Sequence, residues 1–212
     1  MPTVSTGNKQ VMYRHFFKRF FDLFFSLLAL PFLLIILVFT APFIFLYDQG
    51  SVFYRAKRRG WKGKVFYMLK LRTMRVDAEE IRNPDGSVYT GKDDARITPV
   101  GRVLRRLSVD ELPQILNVLK GDMSFIGPRP HLATTDYDGL DEKRKKRLAV
   151  RPGITGYNQA YCRNSADMEI KIENDCYYAE NVSFLLDMKI IFKTVQTVIS
   201  GKGVYSDGKN NK

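Results

Sequence analysis

Ser108-Val109-Asp110-Glu111-Leu112-Pro113 puts two carboxylates side by side just before a proline, and the surrounding sequence supplies them with cations. Arg102, Arg105 and Arg106 precede the pair. Arg129 follows within Gly127-Pro128-Arg129-Pro130, and Arg151, Arg163 and Asp175 come later. Arginines on rigid turns suit bidentate recognition of phosphate. An ionised carboxylate among them can attack phosphorus or hold a divalent cation. Residue chemistry alone therefore marks a phosphate-handling site, with Mg2+ as its candidate ion. Ser108 and Glu111 also fit a capping box, in which Glu111 only ties down a helix start. In that register Pro113 falls at the fifth helical position, where its missing N–H costs a hydrogen bond. With Asp110 as the N-cap, Pro113 is third and its N–H is orphaned anyway. The proline thus predicts a helix from about Asp110 to Leu119, with the Asp110 carboxylate ionised at the positive end of its dipole.

Other chemistries have little material. Two histidines, His15 and His131, lie in separate regions, which argues against a His-rich zinc site or a Ser-His-Asp triad. Cys162 and Cys176 are too few for a disulfide framework and lack metal-ligand spacing, so they read as reduced thiols of a chain facing the cytoplasm. The 212 residues carry a net charge of +12, which points to a polyanionic partner such as nucleic acid, anionic lipid or a phosphorylated substrate.

The elements that must position the carboxylates begin with a membrane segment. Leu23 to Tyr47 is a run of 25 residues without a charge. As one helix it would be about 38 Å long, more than the ~30 Å hydrocarbon core. Lys9, Arg14, Lys18 and Arg19 flank its start; Arg55, Lys57, Arg58, Arg59, Lys62 and Lys64 flank its end. The positive-inside rule places both flanks in the cytoplasm, which a simple spanning helix cannot satisfy. A helix broken near its middle by Pro31 or Pro42, returning to the face it entered, can.

Beyond this run, 51–54 and 64–71 read as strands of a hairpin turning near Gly60–Gly63. Residues 76–96, with Asn83-Pro84-Asp85-Gly86, read as a surface loop or lid. A helix is expected at about 101–107, and Gly121 sits where a C-terminal cap belongs. Residues 141–149 read as a short basic helix whose Lys143–Arg147 face is solvated near lipid headgroups. A last helix at about 183–199 carries Phe184, Met188, Ile191, Val195 and Val198 as an apolar stripe, expected to pack on the core or else to lie on the bilayer.

Taken together, these segments resemble the small monotopic phosphoglycosyl transferases of the bacterial sugar transferase family. The resemblance rests on Phe17-Lys18-Arg19-Phe20-Phe21-Asp22, Lys70-Leu71-Arg72-Thr73-Met74, Asp94-Ala95-Arg96-Ile97-Thr98 with Gly101-Arg102, and Leu107 through Gln114. It continues through Asn117-Val118-Leu119-Lys120-Gly121-Asp122-Met123-Ser124, Gly127 through Pro130, Arg151-Pro152-Gly153-Ile154-Thr155-Gly156 and Asp175-Cys176-Tyr177-Tyr178, covering roughly 13–200. It departs in two places. Pro31 follows Asp22 by nine residues and Pro42 by twenty, neither at the family's usual break, and the family's tryptophan-containing stretch appears as Gly156-Tyr157-Asn158-Gln159-Ala160-Tyr161-Cys162-Arg163.

The resemblance implies an α+β, helix-rich monotopic membrane protein with a re-entrant N-terminal membrane helix (13–50), a small β-hairpin and a membrane-surface catalytic domain (51–200). Residues 1–12 and 201–212 would be mobile ends. It implies a transferase that moves a sugar phosphate from a UDP-sugar to polyprenyl phosphate. Asp110 would be the nucleophile, and Glu111 would complete the dyad and help hold Mg2+. Lys70, Arg105, Arg129, Arg163 and Asp175 would bind substrate, while Lys18, Arg19, Asp22 and Pro31 would form the membrane-entry motif. It places the enzyme on the cytoplasmic face of the bacterial inner membrane, in contact with anionic lipid, and leaves a homodimer open. The rival reading is a catalytically silent lipid-binding protein, against which the intact Asp110 and Glu111 argue. A nucleic-acid binder needs one exposed basic stripe with interleaved aromatics, whereas these basic residues are spread through turns and membrane flanks.

Overall fold

In the computed structural model of the chain, the described residues are 11–79, 81, 94–134, 136–162 and 167–199. The expected mobile ends outside this range, the turn at Asn83–Gly86 and Arg163 lie outside the described residues. A π-helical turn, Tyr13–Phe17, leads into α1, Lys18–Asp48. A hairpin of β1, Phe53–Arg59, and β2, Val65–Leu71, follows. Then come α2 (Pro99–Arg106), a 3-10 turn at Val109–Glu111, α3 (Gln114–Lys120), β3 (Ser124–Ile126) and β4 (His131–Leu132). α4 (Glu142–Arg147), β5 (Gly153–Thr155), α5 (Tyr157–Tyr161), α6 (Met168–Glu180) and α7 (Phe184–Ile199) complete the order. One antiparallel sheet runs β2-β1-β4, and β3 pairs in parallel with β5.

The hairpin forms where β-branched and aromatic residues alternate with charge. Its register pairs Phe53 with Leu71 and Arg59 with Val65, and its turn uses Lys62 and Gly63 at positive φ. Phe66, Met68 and Ala56 point inward onto Val118 and Met123. A second cluster joins Ile126, Val150, Ala160, Tyr178, Ala179, Val182 and Ile190, with Phe125 touching both.

α1 is helical without interruption through Pro31 and Pro42, so the predicted break does not show as a change of secondary structure. Thirty-one residues make a helix about 46 Å long. Both of its ends are held by the same domain. At the start, Arg19 donates to the Val118 and Leu119 carbonyls at the C-terminus of α3, a cation where the helix dipole favours one. One turn on, Asp22 accepts from Ser124 Oγ (2.9 Å) and the Phe125 amide (3.0 Å). At the far end, Arg72 pairs with Asp48 and donates to the Ile44 carbonyl at 3.1 Å. Asp22, Ser26, Leu33 and Ile44 form a narrow buried stripe along its length. Most of the remaining surface is exposed and apolar, including Phe24, Leu28, Phe32, Val38, Phe39 and Leu46.

A buried carboxylate ties this entry to the other end of the chain. Asp187, on α7, accepts from Tyr13 Oη (2.7 Å), Lys18 Nζ (2.6 Å) and Tyr178 Oη (2.7 Å). Asp187 and Ile190 turn α7 inward, which leaves Phe184, Val195 and, to a lesser extent, Ile191 exposed. The expected core packing of that stripe is therefore corrected: its face looks outward, beside α1, with Phe184 against Tyr13 and Phe21. The basic helix α4 is likewise not a solvated face throughout. Arg147 is buried against Asp175, and Lys143 pairs with Glu173.

Replacing Asp187 by Ala strands an ammonium and two hydroxyls inside the protein. We expect a loss of about 3–5 kcal/mol, read as a lower thermal midpoint in detergent. Phe192→Ala, at a side chain that is largely exposed, should stay within about 0.5 kcal/mol of the parent. A D187A protein as stable as the parent would show that the three donors find other acceptors.

Candidate active site

Alternation along β2 brings the first functional side chain into place. Phe66, Met68 and Lys70 share one face, and Lys70 stands at its end, where the core opens into a cleft. Arg58 lies directly across from Phe66 on β1, so it lines the same cleft. Asn117 fixes α3 against this strand with both ends of its amide. It donates to the Tyr67 carbonyl at 2.8 Å and accepts from the Leu69 amide at 2.9 Å.

The two carboxylates sit on the turn between α2 and α3. The expected helix start at Asp110 is corrected: Ser108 takes the left-handed conformation (φ 56°), Asp110 is mid-turn in Val109–Glu111, and Pro113 occupies the N-cap of α3. Neither capping register forms, because Ser108 makes no side-chain cap bond and its φ turns the chain away from a helical entry. A non-glycine residue in this region costs on the order of 1 kcal/mol, and here it points successive side chains in different directions. Glu111 reaches Lys70 Nζ at 2.6 Å. Asp110 is buried, and among the described residues no side chain donates a hydrogen bond to it.

The electrostatics of the two differ. Burial works to raise Glu111, but the charges of Lys70 and Arg129 and hydrogen bonds from Lys70 and Gln114 outweigh it and hold the carboxyl below its usual range. For Asp110, burial dominates, helped by the Glu111 charge, and Lys70 and Arg105 only partly offset it. Its carboxyl lies above the usual range. The expected ionising influence of a helix N-terminus is absent, since no regular helix begins at this residue.

The cations arrive by close backbone packing. A Cβ on Gly101 would lie 2.1 Å from the Thr73 carbonyl oxygen, so only glycine lets α2 approach this near. Thr98 caps α2 through the Gly101 amide, and Arg105 Nε then donates to Thr73 Oγ1 at 2.9 Å. Gly127 lies equally close to the Arg151 carbonyl oxygen, at 2.3 Å from a Cβ, which seats the Arg129 turn on β5. Arg129 lines the cleft with Lys70 and Glu111. Asp175 does not line it. It is buried on α6, paired with Arg147 and bonded by Asn158 at 2.8 Å, and burial pushes its carboxyl up despite the guanidinium. Arg147 in turn donates to the Arg129 carbonyl at 3.0 Å, so Asp175 reaches the cleft through two links. Arg151 points elsewhere, over the Trp61 ring.

Two cleft residues escaped the sequence reading. Arg58 was counted only as a membrane-flanking charge. Gln159 lines the cleft, and its amide oxygen and nitrogen are both buried without a hydrogen-bond partner. Those partners are lacking among the described residues, and a buried amide left open on both ends is expensive unless a ligand completes it.

Among the described residues no three His, Cys, Asp or Glu side chains come together. A protein-only metal cage is therefore absent there. Mg2+, however, is commonly held by one or two carboxylates together with substrate phosphates and water. Asp110, without a side-chain partner, and Glu111 suit that mode.

Comparison with known proteins follows the same residues. A sugar transferase of Bacillus subtilis is 43% identical over 188 residues, 88% of this chain and 89% of its own length. The UDP-N-acetylgalactosamine-undecaprenyl-phosphate N-acetylgalactosaminephosphotransferase of Aeromonas hydrophila is 39% identical over 193 residues, 89% of this chain but 45% of its own length. An exopolysaccharide production protein of Sinorhizobium fredii is 36% identical over 199 residues, 89% of this chain and 88% of its own. The sequence profile of the bacterial sugar transferases matches residues 13–201, which include α1, the carboxylate turn and every arginine of the cleft. The chain belongs to the bacterial sugar transferase family.

Proposed function

We propose that this protein transfers a sugar 1-phosphate from a UDP-sugar to polyprenyl phosphate, releasing UMP, at the cytoplasmic face of the bacterial inner membrane. The observation that carries this reading is Asp110, a buried carboxylate with no side-chain partner, beside a cleft lined by Lys70, Arg129 and the paired Glu111. The names of the Aeromonas relative and of an undecaprenyl-phosphate glucose phosphotransferase of Komagataeibacter xylinus, 37% identical over 198 residues, support the lipid acceptor.

A carboxylate oxygen of Asp110 attacks the β-phosphorus of the donor. The bond from that phosphorus to the bridging oxygen breaks, and UMP leaves with the electron pair. An oxygen of polyprenyl phosphate then attacks the same phosphorus, and the bond to Asp110 breaks. Nucleophile, donor and acceptor are all anions, so the barrier is dominated by repulsion and positioning. Lys70 and Arg129 neutralise incoming phosphate oxygens, and Arg105, held on Thr73, adds charge next to Asp110. Lys70 also holds Glu111 away from Asp110. Mg2+, which Asp110 and Glu111 suit, supplies further neutralisation of the diphosphate when bound.

α1 is the membrane element in this reading. Attachment of both its ends to one domain supports a re-entrant seat, because a helix crossing the bilayer would carry one end to the face opposite that domain. The apolar outer face of α7 extends the same surface.

Three tests follow. With undecaprenyl phosphate and Mg2+, a panel of UDP-sugars should yield UMP from one donor. Asp110→Asn should remove both that release and the covalent phosphosugar adduct while keeping the parent's thermal midpoint. Near-normal UMP release by D110N would sink the nucleophile. Gln159→Leu should raise the KM for the donor by about tenfold, the cost of one buried hydrogen-bonded contact, with kcat little changed; an unchanged KM would remove Gln159 from the donor site. In a protein with Cys162 and Cys176 replaced by Ser, single cysteines introduced at Lys9 and Lys57 should both be labelled from the cytoplasmic side, and labelling from opposite sides would establish a spanning helix.

A further inference from the structure

A second cleft shares no lining residue with the first. Arg14, His15, Lys18, Arg19 and Arg151 line it, with Trp61 and Asp22. Lys18 is paired with Asp187 at 2.6 Å. The three arginines have no carboxylate partner among the described residues. Each instead donates to main-chain carbonyls: Arg14 to Ala149 at 2.6 Å, Arg19 to Val118 and Leu119 at 2.6 and 2.8 Å, and Arg151 to Gly121 at 3.0 Å. A guanidinium carries five N–H groups, so these bonds fix the three positions and leave most donors open. Asp22, the carboxylate in the lining, already accepts from Ser124 and Phe125.

Like charges are thus gathered in a partly buried place. Burial and the neighbouring Arg19 together push the Arg151 pKa down. Its Cζ lies 4.3 Å from the centre of the Trp61 ring, a cation–π contact that helps hold the guanidinium in place. The surroundings say which anion belongs here. The cleft opens where α1 begins, beside Phe16 and Phe20, which are 65% and 53% exposed, and next to Val182, just ahead of the outward apolar face of α7. Apolar surfaces on two sides of a cationic cleft match the boundary between acyl chains and headgroups.

We propose that this cleft binds the phosphate group of an anionic membrane phospholipid, separately from the carboxylate cleft. The lipid phosphate takes donors from Arg14, Arg19 and Arg151, and its chains lie along the first turns of α1. The proposal rests on the reading of α1 as a membrane element. It does not rest on the transfer reaction.

Trp61, the chain's single tryptophan, is a built-in reporter. The full chain in non-ionic detergent is titrated with dioctanoyl phosphatidylglycerol while Trp61 fluorescence is followed. The Asp110→Asn protein is run alongside, so that a failed reaction mechanism leaves this test intact. A saturable change is expected in both proteins, with none for dioctanoyl phosphatidylcholine. Arg151→Gln and Arg14→Gln should each shift the midpoint by about tenfold, as loss of a charge-assisted contact requires; Arg14, near the surface, serves if R151Q folds poorly. No saturation, an equal response to phosphatidylcholine, or unchanged midpoints in both variants would overturn the site. The same change at equal concentrations of inorganic phosphate would reassign it to a free anion. Displacement by equimolar farnesyl phosphate would reassign it to the acceptor and overturn the phospholipid assignment.

Discussion

The contact between Lys70 Nζ and Glu111 Oε1 organises the cleft. Two neighbouring carboxylates about 4 Å apart at an effective dielectric near 20 repel by roughly 4 kcal/mol, and burial adds to that cost. One ammonium placed on Glu111 removes most of the conflict and distinguishes the pair: Glu111 is held ionised, while Asp110 stays buried and uncommitted. The contact needs Lys70 at the open end of β2's inward face, which the strand's period supplies, and Glu111 turned toward it, which the left-handed Ser108 supplies. Asn117 holds both halves by gripping β2 from α3. A break anywhere in this chain would leave a second negative charge beside Asp110.

The same economy governs α1. Apolar packing of Ile44 and Leu37 with Leu71 and Leu104 holds part of this helix to the domain, and polar residues near its ends fix the rest. Arg19 uses two carbonyls at the end of α3, Asp22 uses the start of β3, and Arg72 uses Ile44 and Asp48. Arg19 therefore sits on the C-terminus of the helix whose N-terminal side follows the carboxylate turn. The start of α1 and the carboxylate turn thus meet at opposite ends of one short rod, the seven residues of α3.

Local periodicity and turn chemistry made much of this legible. β2, α2, α4 and α7 lie within a few residues of their expected places, β1 runs on to Arg59 where a strand at 51–54 is expected, and Gly121 ends α3 in the left-handed conformation its position suggested. Part of the cationic company of Asp110 is also legible, since Arg105 and Arg129 are named by type and spacing, whereas Lys70 enters only through the family resemblance. What sequence could not supply were choices made by tertiary contact. Capping rules see only Ser108, Asp110 and Pro113, not the packing that drives Ser108 to positive φ. The α7 stripe reveals a face but not its medium, and Asp187, which decides it, is polar and falls outside the stripe. Arg58 and Gln159 enter through strand pairing and a glycine-lined turn, so nothing in their own neighbourhoods marks them. Asp175 and Arg147 both look like surface charges until each is seen to be the other's partner.

On the proposed two-step course, burial of Asp110 has a protective role. A phosphosugar held on a carboxylate would be an acyl phosphate, a mixed anhydride open to attack by water at the carbonyl carbon or at phosphorus. On the proposed course it must outlive UMP departure and wait for a lipid that diffuses in two dimensions. Shielding the carboxylate from solvent lowers the competing hydrolysis, at the cost of raising the pKa of the free group. A raised pKa in turn makes the ionised form a stronger nucleophile. On the proposed course donor binding brings phosphate charge toward the carboxylate and displaces remaining water, so the repulsion is greatest in the bound complex. Lys70 and Arg129, in place before the donor arrives, offset that repulsion as the new bond forms, which is where stabilisation lowers the barrier to attack.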